Sequence, residues 1–73
     1  MLRLKVKEVA KAKGMSMGLL SRLANVDRTT LKYIYDKTNY DPRISTMARL
    51  ASVLKVSVDD LYEMLPDDEK HEE

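Results

Sequence analysis

The segment from Arg28 to Tyr35 has the period of an amphipathic helix, because Leu31 and Ile34 fall on one side of it. At about 100° per residue, four polar or aromatic side chains then lie on or beside the outward side. They are Arg28, Thr29, Lys32 and Tyr33. An arginine guanidinium can form two hydrogen bonds to guanine, and a threonine can contact a thymine methyl group or a phosphate. This face predicts contacts with bases; the alternative is that its basic side chains are simply solvated.

A second predicted helix, from Ser16 to Ala24, precedes it through the corner Asn25-Val26-Asp27. Two helices that cross steeply through so short a corner need a small residue where they approach and a left-handed residue at the turn. Ser21 supplies the first, and Asn25 supplies the second, because asparagine tolerates left-handed backbone well. The spacing predicts a helix-turn-helix over residues 17–36, a motif whose second helix enters the DNA major groove.

The chain before this motif changes its period. Residues 1–5 alternate between apolar and basic side chains, which predicts an extended arm or strand that pairs with the C-terminal region or with a second copy of the chain. From Val6 to Lys13 the spacing is helical, and Gly14 is expected to end this helix in a left-handed conformation.

The chain after the motif predicts two more helices. Asp41-Pro42 is expected to open the fourth helix, with proline in the first turn and Ile44 among the buried residues. Ser57 and Asp60 resemble a capping box that opens a fifth helix, which Pro66 ends. The predicted fold is therefore all-α, with a five-helix domain over residues 6–65 and an acidic tail over residues 66–73.

Charge is distributed unevenly along the chain. Residues 1–55 hold twelve Lys and Arg against four Asp and Glu, a net +8, whereas residues 56–73 hold one Lys against eight acids, a net −7. A basic body favours an anionic partner. Solvated helix faces would give the same pattern, and charge alone leaves these two interpretations balanced.

Composition argues against several classes of function. The 73 residues suffice for one domain, and the lack of cysteine excludes a disulfide framework, a thiolate metal site and a cysteine nucleophile. No apolar run approaches the roughly 20 residues of a membrane helix, and no signal-peptide pattern is present. His71 stands alone in the acidic tail, so no metal is expected. With no glycine-rich phosphate loop or nucleophile–base pair, neither an enzyme nor a cofactor is expected.

From Val6 to Leu65 the chain resembles the Cro/phage-repressor (xenobiotic-response-element) helix-turn-helix family, in its short stand-alone form. The matching segments are Lys13–Ser16, Arg28–Ile34, Pro42, Thr46–Leu54 and Val56–Leu61. The resemblance implies a five-helix repressor-like fold that binds double-stranded DNA, often as a homodimer.

Four residues depart from the family pattern, and the loop after the motif lacks the family's glycine and is about one residue longer. Met17 stands where the family usually has a glutamine that fixes the helix on a phosphate, and Tyr35 replaces a glutamate. Ser21 and Asn25 replace the usual alanine and glycine, and both changes are conservative for the fold. The departures at Met17 and Tyr35 therefore concern how the motif docks on DNA.

Six residues are predicted to contact phosphates, either at a helix N-terminus or in the loop after the motif. They are Ser16, Met17, Thr30, Lys37, Asn39 and Arg43. For the loop members, a mobile hydrophilic segment is an equally good interpretation.

The sequence predicts a transcriptional regulator that binds specific duplex DNA as a homodimer, in the cytoplasm of a bacterial or phage-type system and associated with the nucleoid. No membrane contact or small-molecule effector is expected. The alternative is a protein-interaction module, such as an antitoxin or anti-repressor subunit, because one scaffold can serve several functions. The basic and polar face formed by Arg28, Thr29 and Lys32 favours DNA.

Overall fold

The computed structural model describes residues 2–37 and 40–66. Within these ranges the chain forms four α-helices, one 3₁₀ helix and two short strands. In chain order they are β1 (Leu2–Leu4), α1 (Val6–Ala12), α2 (Met17–Ala24), α3 (Arg28–Asp36), α4 (Ile44–Leu54), the 3₁₀ helix (Val58–Leu61) and β2 (Tyr62–Met64). None of the helices in these ranges is long and apolar enough to cross a bilayer.

Local residue choice explains where α1 ends and α2 begins. Gly14 has a left-handed φ of 70°, and the Met15 N–H donates to the Ala10 carbonyl at 2.9 Å. This bond belongs to a Schellman motif, which glycine permits because it has no Cβ. Ser16 then caps α2, since its hydroxyl accepts a hydrogen bond from the Leu19 N–H at 3.1 Å. The predicted glycine stop and serine cap are both confirmed.

The hydrophobic core lies where the four α-helices meet the 3₁₀ helix. Its largest fully buried side chains are Leu20, Leu31, Leu50, Leu54, Leu61 and Val6. Burial of such a side chain contributes about 1.5–3 kcal/mol. Because α3 packs against both α1 and α2, the burial of Leu31 and Ile34 fixes which side of α3 faces away from the protein.

The predicted fifth helix is wrong. Ser57 and Asp60 do form the capping box, with the Ser57 N–H donating to an Asp60 carboxylate oxygen at 3.1 Å. The helix that they open is only the 3₁₀ turn Val58–Leu61, after which Tyr62–Met64 forms β2. The strand gives β1 a partner for its backbone hydrogen-bonding groups, which a fifth helix would not supply.

β1 and β2 form an antiparallel two-stranded sheet, so the N-terminal arm pairs with the C-terminal region of its own chain. The register places Leu2 opposite Met64, Arg3 opposite Glu63 and Leu4 opposite Tyr62. Since side chains alternate across a strand, one face of this sheet is apolar and the other is charged. On the charged face, Glu63 pairs with Arg3 at 3.6 Å and with Lys5 at 3.9 Å.

The start of α4 also differs from the prediction. The helix begins at Ile44 with Arg43 as its N-cap, so Pro42 precedes the helix instead of lying in its first turn. Ile44 is 72% exposed rather than buried. The periodic pattern places Ile44 on the same side as Met47, but it does not show how far the neighbouring elements extend over the first turn. The core side of α4 therefore starts at Thr46 and Met47.

Candidate nucleic-acid interface

The corner between α2 and α3 is fixed by backbone geometry and one hydroxyl. Asn25 adopts a left-handed conformation, with φ 55° and ψ 45°, as predicted. The Val26 N–H donates to the Ser21 carbonyl at 3.0 Å, and the Ser21 hydroxyl donates to the Val26 carbonyl at 2.6 Å. Ser21 is thus more than a small residue at the crossing, because it bonds directly across the corner.

Asp27 occupies the N-cap position of α3, but its side chain forms no capping hydrogen bond. The backbone carbonyl of Asp27 accepts from the Leu31 N–H at 2.9 Å, which is the first bond of the helix. The carboxylate is exposed at the corner. It is the one acidic group among the residues that line a polar groove between this corner, α3 and α4.

The predicted base-contacting side chains lie on the outward side of α3. Arg28, Thr29 and Lys32 are exposed, and Tyr33 is 41% exposed. Within residues 2–37 and 40–66, neither Arg28 nor Lys32 forms an ion pair. Both cations are therefore available to an external anion or to a base edge.

Arg28 lies beside the first turn of α2. Its guanidinium is 3.9 Å from the position that a Cβ on Gly18 would occupy. A residue without a side chain at position 18 leaves this space open to the guanidinium. The guanidinium of Arg28, at the beginning of α3, therefore lies close to the beginning of α2.

The predicted phosphate contacts at the start of α2 differ in what they offer. The Ser16 hydroxyl is engaged as the cap of α2. Met17 is half-buried against the core, and its thioether has no hydrogen-bond donor. At this helix end, backbone N–H groups rather than the Met17 side chain are suited to bind a phosphate.

Aromatic contacts connect α3 with the loop that follows it. The rings of Tyr33 and Tyr40 have centroids 5.7 Å apart and are tilted by 54°. Lys37 places its Nζ 4.8 Å from the centre of the Tyr33 ring, a cation–π contact. Lys37 is exposed, whereas Asn39 lies outside the described residues.

Thr30 and Arg43, the remaining predicted phosphate contacts, line one open polar groove between the corner, α3 and α4. The groove has a volume of about 470 Å³. Its lining residues are Asn25, Val26, Asp27, Thr30, Tyr40, Arg43, Thr46 and Arg49. Arg49 was not among the contacts predicted from the sequence, although it lies about one turn after Thr46 on α4 and lines the same groove as Arg43.

Tyr35 occupies the inner side of α3. Its ring packs against the core, and its buried hydroxyl has no hydrogen-bond partner in the described part of the chain. Burial raises the pKa of the Tyr35 phenol above its ordinary value, because the charged form would lose hydration. The phenol therefore stays neutral at physiological pH and adds no charge to the interface.

The chain is similar to known DNA-binding proteins in sequence and in structure. A family model described as the Cro/C1-type HTH DNA-binding domain matches residues 5–67. The chain is similar to SinR, the master regulator for biofilm formation, in a crystal structure with DNA. That likeness has a TM-score of 0.70 and 31% identity, over 74% of this chain and 86% of that one. No curated protein sequence matches the chain significantly.

Two further solved structures resemble the chain. The N-terminal DNA-binding domain of SinR from Bacillus subtilis, solved in solution, has a TM-score of 0.65 and 31% identity, over 74% of this chain and 78% of that one. A complex of SinR protein with SinI protein gives a TM-score of 0.73 and 34% identity. In that complex the match covers 93% of this chain but spans only 61% of the other.

Proposed function

The chain belongs to the Cro/C1-type helix-turn-helix DNA-binding family and is a DNA-binding transcriptional regulator, and we propose that it inserts α3 into the major groove of a duplex operator. The observation that carries the proposal is the outward side of α3. Its two cations, Arg28 and Lys32, are exposed and have no ion-pair partner in the described ranges. In this motif, the N-terminal part of the second helix contacts base edges.

Each side chain of this face has a proposed role. Arg28 binds a guanine through two hydrogen bonds, and Lys32 reaches a base or a phosphate one turn later. Thr29 contacts a thymine methyl group or a phosphate, and Tyr33 lies against the sugar–phosphate backbone. The Tyr33 ring is suited to this role because its contacts with Tyr40 and Lys37 restrict its orientation.

Phosphate contacts on both sides of α3 would hold it in the groove. On one side are the first-turn N–H groups of α2 beside Ser16 and Met17. On the other are Thr30, Lys37 and Arg43, and Asn39, which lies outside the described residues, is assigned the same role from its place in the sequence. Contacts of this kind set register and orientation without reading sequence, so they complement the Arg28 face.

We also propose that the regulator acts as a homodimer. Ile44 is 72% exposed and Met64 is 68% exposed, and both extend an apolar surface at the β1–β2 end of the molecule. An apolar groove there, lined by Leu2, Pro42 and Ile44 among others, supports burial against a second copy. A symmetric dimer presents two recognition helices to two half-sites about 34–36 Å apart.

The test of function is selection of bound duplexes from a random DNA pool. We expect enrichment of one sequence, arranged as a palindrome with half-sites about 10–10.5 base pairs apart. Arg28→Ala and Lys32→Ala should each weaken binding to the enriched duplex while leaving the melting temperature within a few degrees. Failure to enrich any duplex, or full affinity in both variants, would contradict the proposal.

Sedimentation tests the dimer separately. Ile44→Ser should shift the protein towards a monomer, whereas Leu23→Ser, at a side chain that is 51% exposed on α2, should not. If the Ile44→Ser variant remained a dimer, the apolar surface around Ile44 would not be part of the dimer interface. If the wild-type protein is a monomer even when bound to DNA, the homodimer proposal itself fails.

A protein partner is the second candidate function, because the similar SinR chain is found in a complex with SinI protein. The same apolar surface around Ile44 would suit a partner subunit. We place the regulator in the cytoplasm, associated with the nucleoid, since its proposed ligand is duplex DNA. The proposed activity is binding alone, without a catalytic step or cofactor.

A further inference from the structure

The polar groove between α3 and α4 contains an arginine that the predicted interface does not include. Arg43, at the N-cap of α4, and Arg49, almost two turns later, both line this groove. Thr46 lies between them on the same side of α4 and is 8% exposed. We propose that Arg43 and Arg49 together hold a backbone phosphate of the bound DNA, which makes Arg49 a further DNA-contact residue.

The charge of the groove favours an anion. Both arginines are exposed, and neither forms an ion pair within residues 2–37 and 40–66. One acidic residue, Asp27, also lines the groove. Its single negative charge does not cancel the two positive charges of Arg43 and Arg49, so the lining carries a net positive charge. A guanidinium presents several N–H donors in one plane, which suits two oxygens of a phosphate.

The groove is continuous with the proposed base-reading surface. Tyr40 lines the groove and also contacts the Tyr33 ring, so the groove begins where the outward side of α3 ends. Thr30 forms the α3 side of the groove, one turn before Ile34 and next to exposed Thr29. DNA backbone that borders the major groove around α3 would therefore pass directly over the two arginines.

A nucleic-acid phosphate fits these observations better than an acidic protein segment. Five of the eight lining residues carry a hydroxyl or guanidinium group, namely Thr30, Tyr40, Arg43, Thr46 and Arg49. These groups donate hydrogen bonds to phosphate oxygens. Because the groove adjoins α3, the DNA that α3 is proposed to bind would already bring a backbone phosphate close to it. The inference rests on the proposed function, since it assumes that α3 docks on DNA.

The experiment measures how the affinity for the selected duplex changes with salt for wild-type protein, Arg49→Gln and Lys7→Gln. Lys7 is an exposed cation on α1 outside the groove, so its variant loses the same unit of charge without losing the proposed contact. We expect Arg49→Gln to reduce the slope of log K against log salt by about 0.9, the value for one phosphate contact. Lys7→Gln should leave the slope unchanged, and Arg49→Lys should retain most of it.

A second readout separates a phosphate contact from a base contact. Arg49→Gln should weaken binding to the selected duplex and to an unrelated duplex by a similar factor, whereas Arg28→Ala should mainly weaken binding to the selected one. If Arg49→Gln binds with the slope of Lys7→Gln, or loses affinity only for a protein partner, the inference is overturned. If wild-type protein binds no duplex, the proposed function fails instead.

Discussion

The two ends of the molecule differ in whether their charged side chains form ion pairs. At the β1–β2 end, Arg3 pairs with Glu8 and with Glu63, and Lys5 also pairs with Glu63. At the α3–α4 end, the exposed cations have no ion-pair partner in the described ranges. They are Arg28, Lys32, Arg43 and Arg49. The charges of the first end are therefore paired within the fold, whereas those of the second remain available to the DNA that we propose they bind.

The largest expected effect tests the structural role of the sheet end. Leu61 is fully buried where the 3₁₀ helix meets the sheet, so Leu61→Ala should lower the free energy of unfolding by about 2–5 kcal/mol. Leu23→Ala, at a half-exposed side chain, is the matched control and should cost far less. Chemical denaturation monitored by circular dichroism measures both. Equal losses would mean that the 3₁₀–sheet end does not stabilise the fold.

The next effect contrasts two arginines, one from each end. Arg28→Ala should weaken binding to the selected duplex by about 1–3 kcal/mol, because one base contact is lost. Arg3→Ala removes the same charge from an exposed ion-paired cluster, where each pair is worth about 0–1 kcal/mol, and should leave DNA binding nearly unchanged. Titration of labelled duplex measures both variants. Similar losses would show that net charge, rather than the α3 face, governs binding.

The corner between α2 and α3 was predictable from sequence, because the residues that determine its geometry lie close together in the chain. A left-handed Asn25 and a Ser16 cap depend on residues within one or two turns, and the structure has both. The strand Tyr62–Met64 was not predictable in this way. Its apolar spacing also suits a helix, and only pairing with Leu2–Leu4, about sixty residues earlier, decides between them.

The same distinction applies to the candidate site. The outward side of α3 follows from the period of one helix, whereas the groove that contains Arg49 exists only because α4 lies beside the corner. Ile44 illustrates the converse error, since its periodic position predicted burial, but no neighbouring element within residues 2–37 and 40–66 covers it. Periodicity identifies the sides of a helix, and tertiary packing decides which parts of each side are covered.

A smaller effect tests how the corner positions the binding end. Ser21→Ala removes the hydrogen bond from the Ser21 hydroxyl to the Val26 carbonyl and should cost about 0.5–1.5 kcal/mol of stability. Ser52→Ala, at an exposed position on α4, should cost little. Thermal unfolding of both variants gives the difference. Were the Ser21 variant as stable as the Ser52 variant, the hydroxyl would not be part of what fixes the corner.

The smallest expected effect concerns Tyr35, whose buried hydroxyl lacks a hydrogen-bond partner in the described part of the chain. Tyr35→Phe removes this polar group while keeping the ring, so stability near neutral pH should stay constant or rise by up to about 1 kcal/mol. Burial raises the pKa of the phenol above 10.0, so the folded state holds this proton more tightly than the unfolded state does.

The bound phenol proton contributes to the free energy of unfolding at neutral pH. This contribution is lost as the pH rises above 10.0 and through the pKa of the folded-state phenol. Wild-type protein should therefore lose more stability at alkaline pH than Tyr35→Phe does, whereas Tyr33→Phe, at an exposed ring, should follow wild type. Denaturation at neutral and alkaline pH compares the three proteins. If the Tyr35→Phe variant lost as much stability at alkaline pH as wild type does, ionisation of the Tyr35 phenol would not be the cause of that loss.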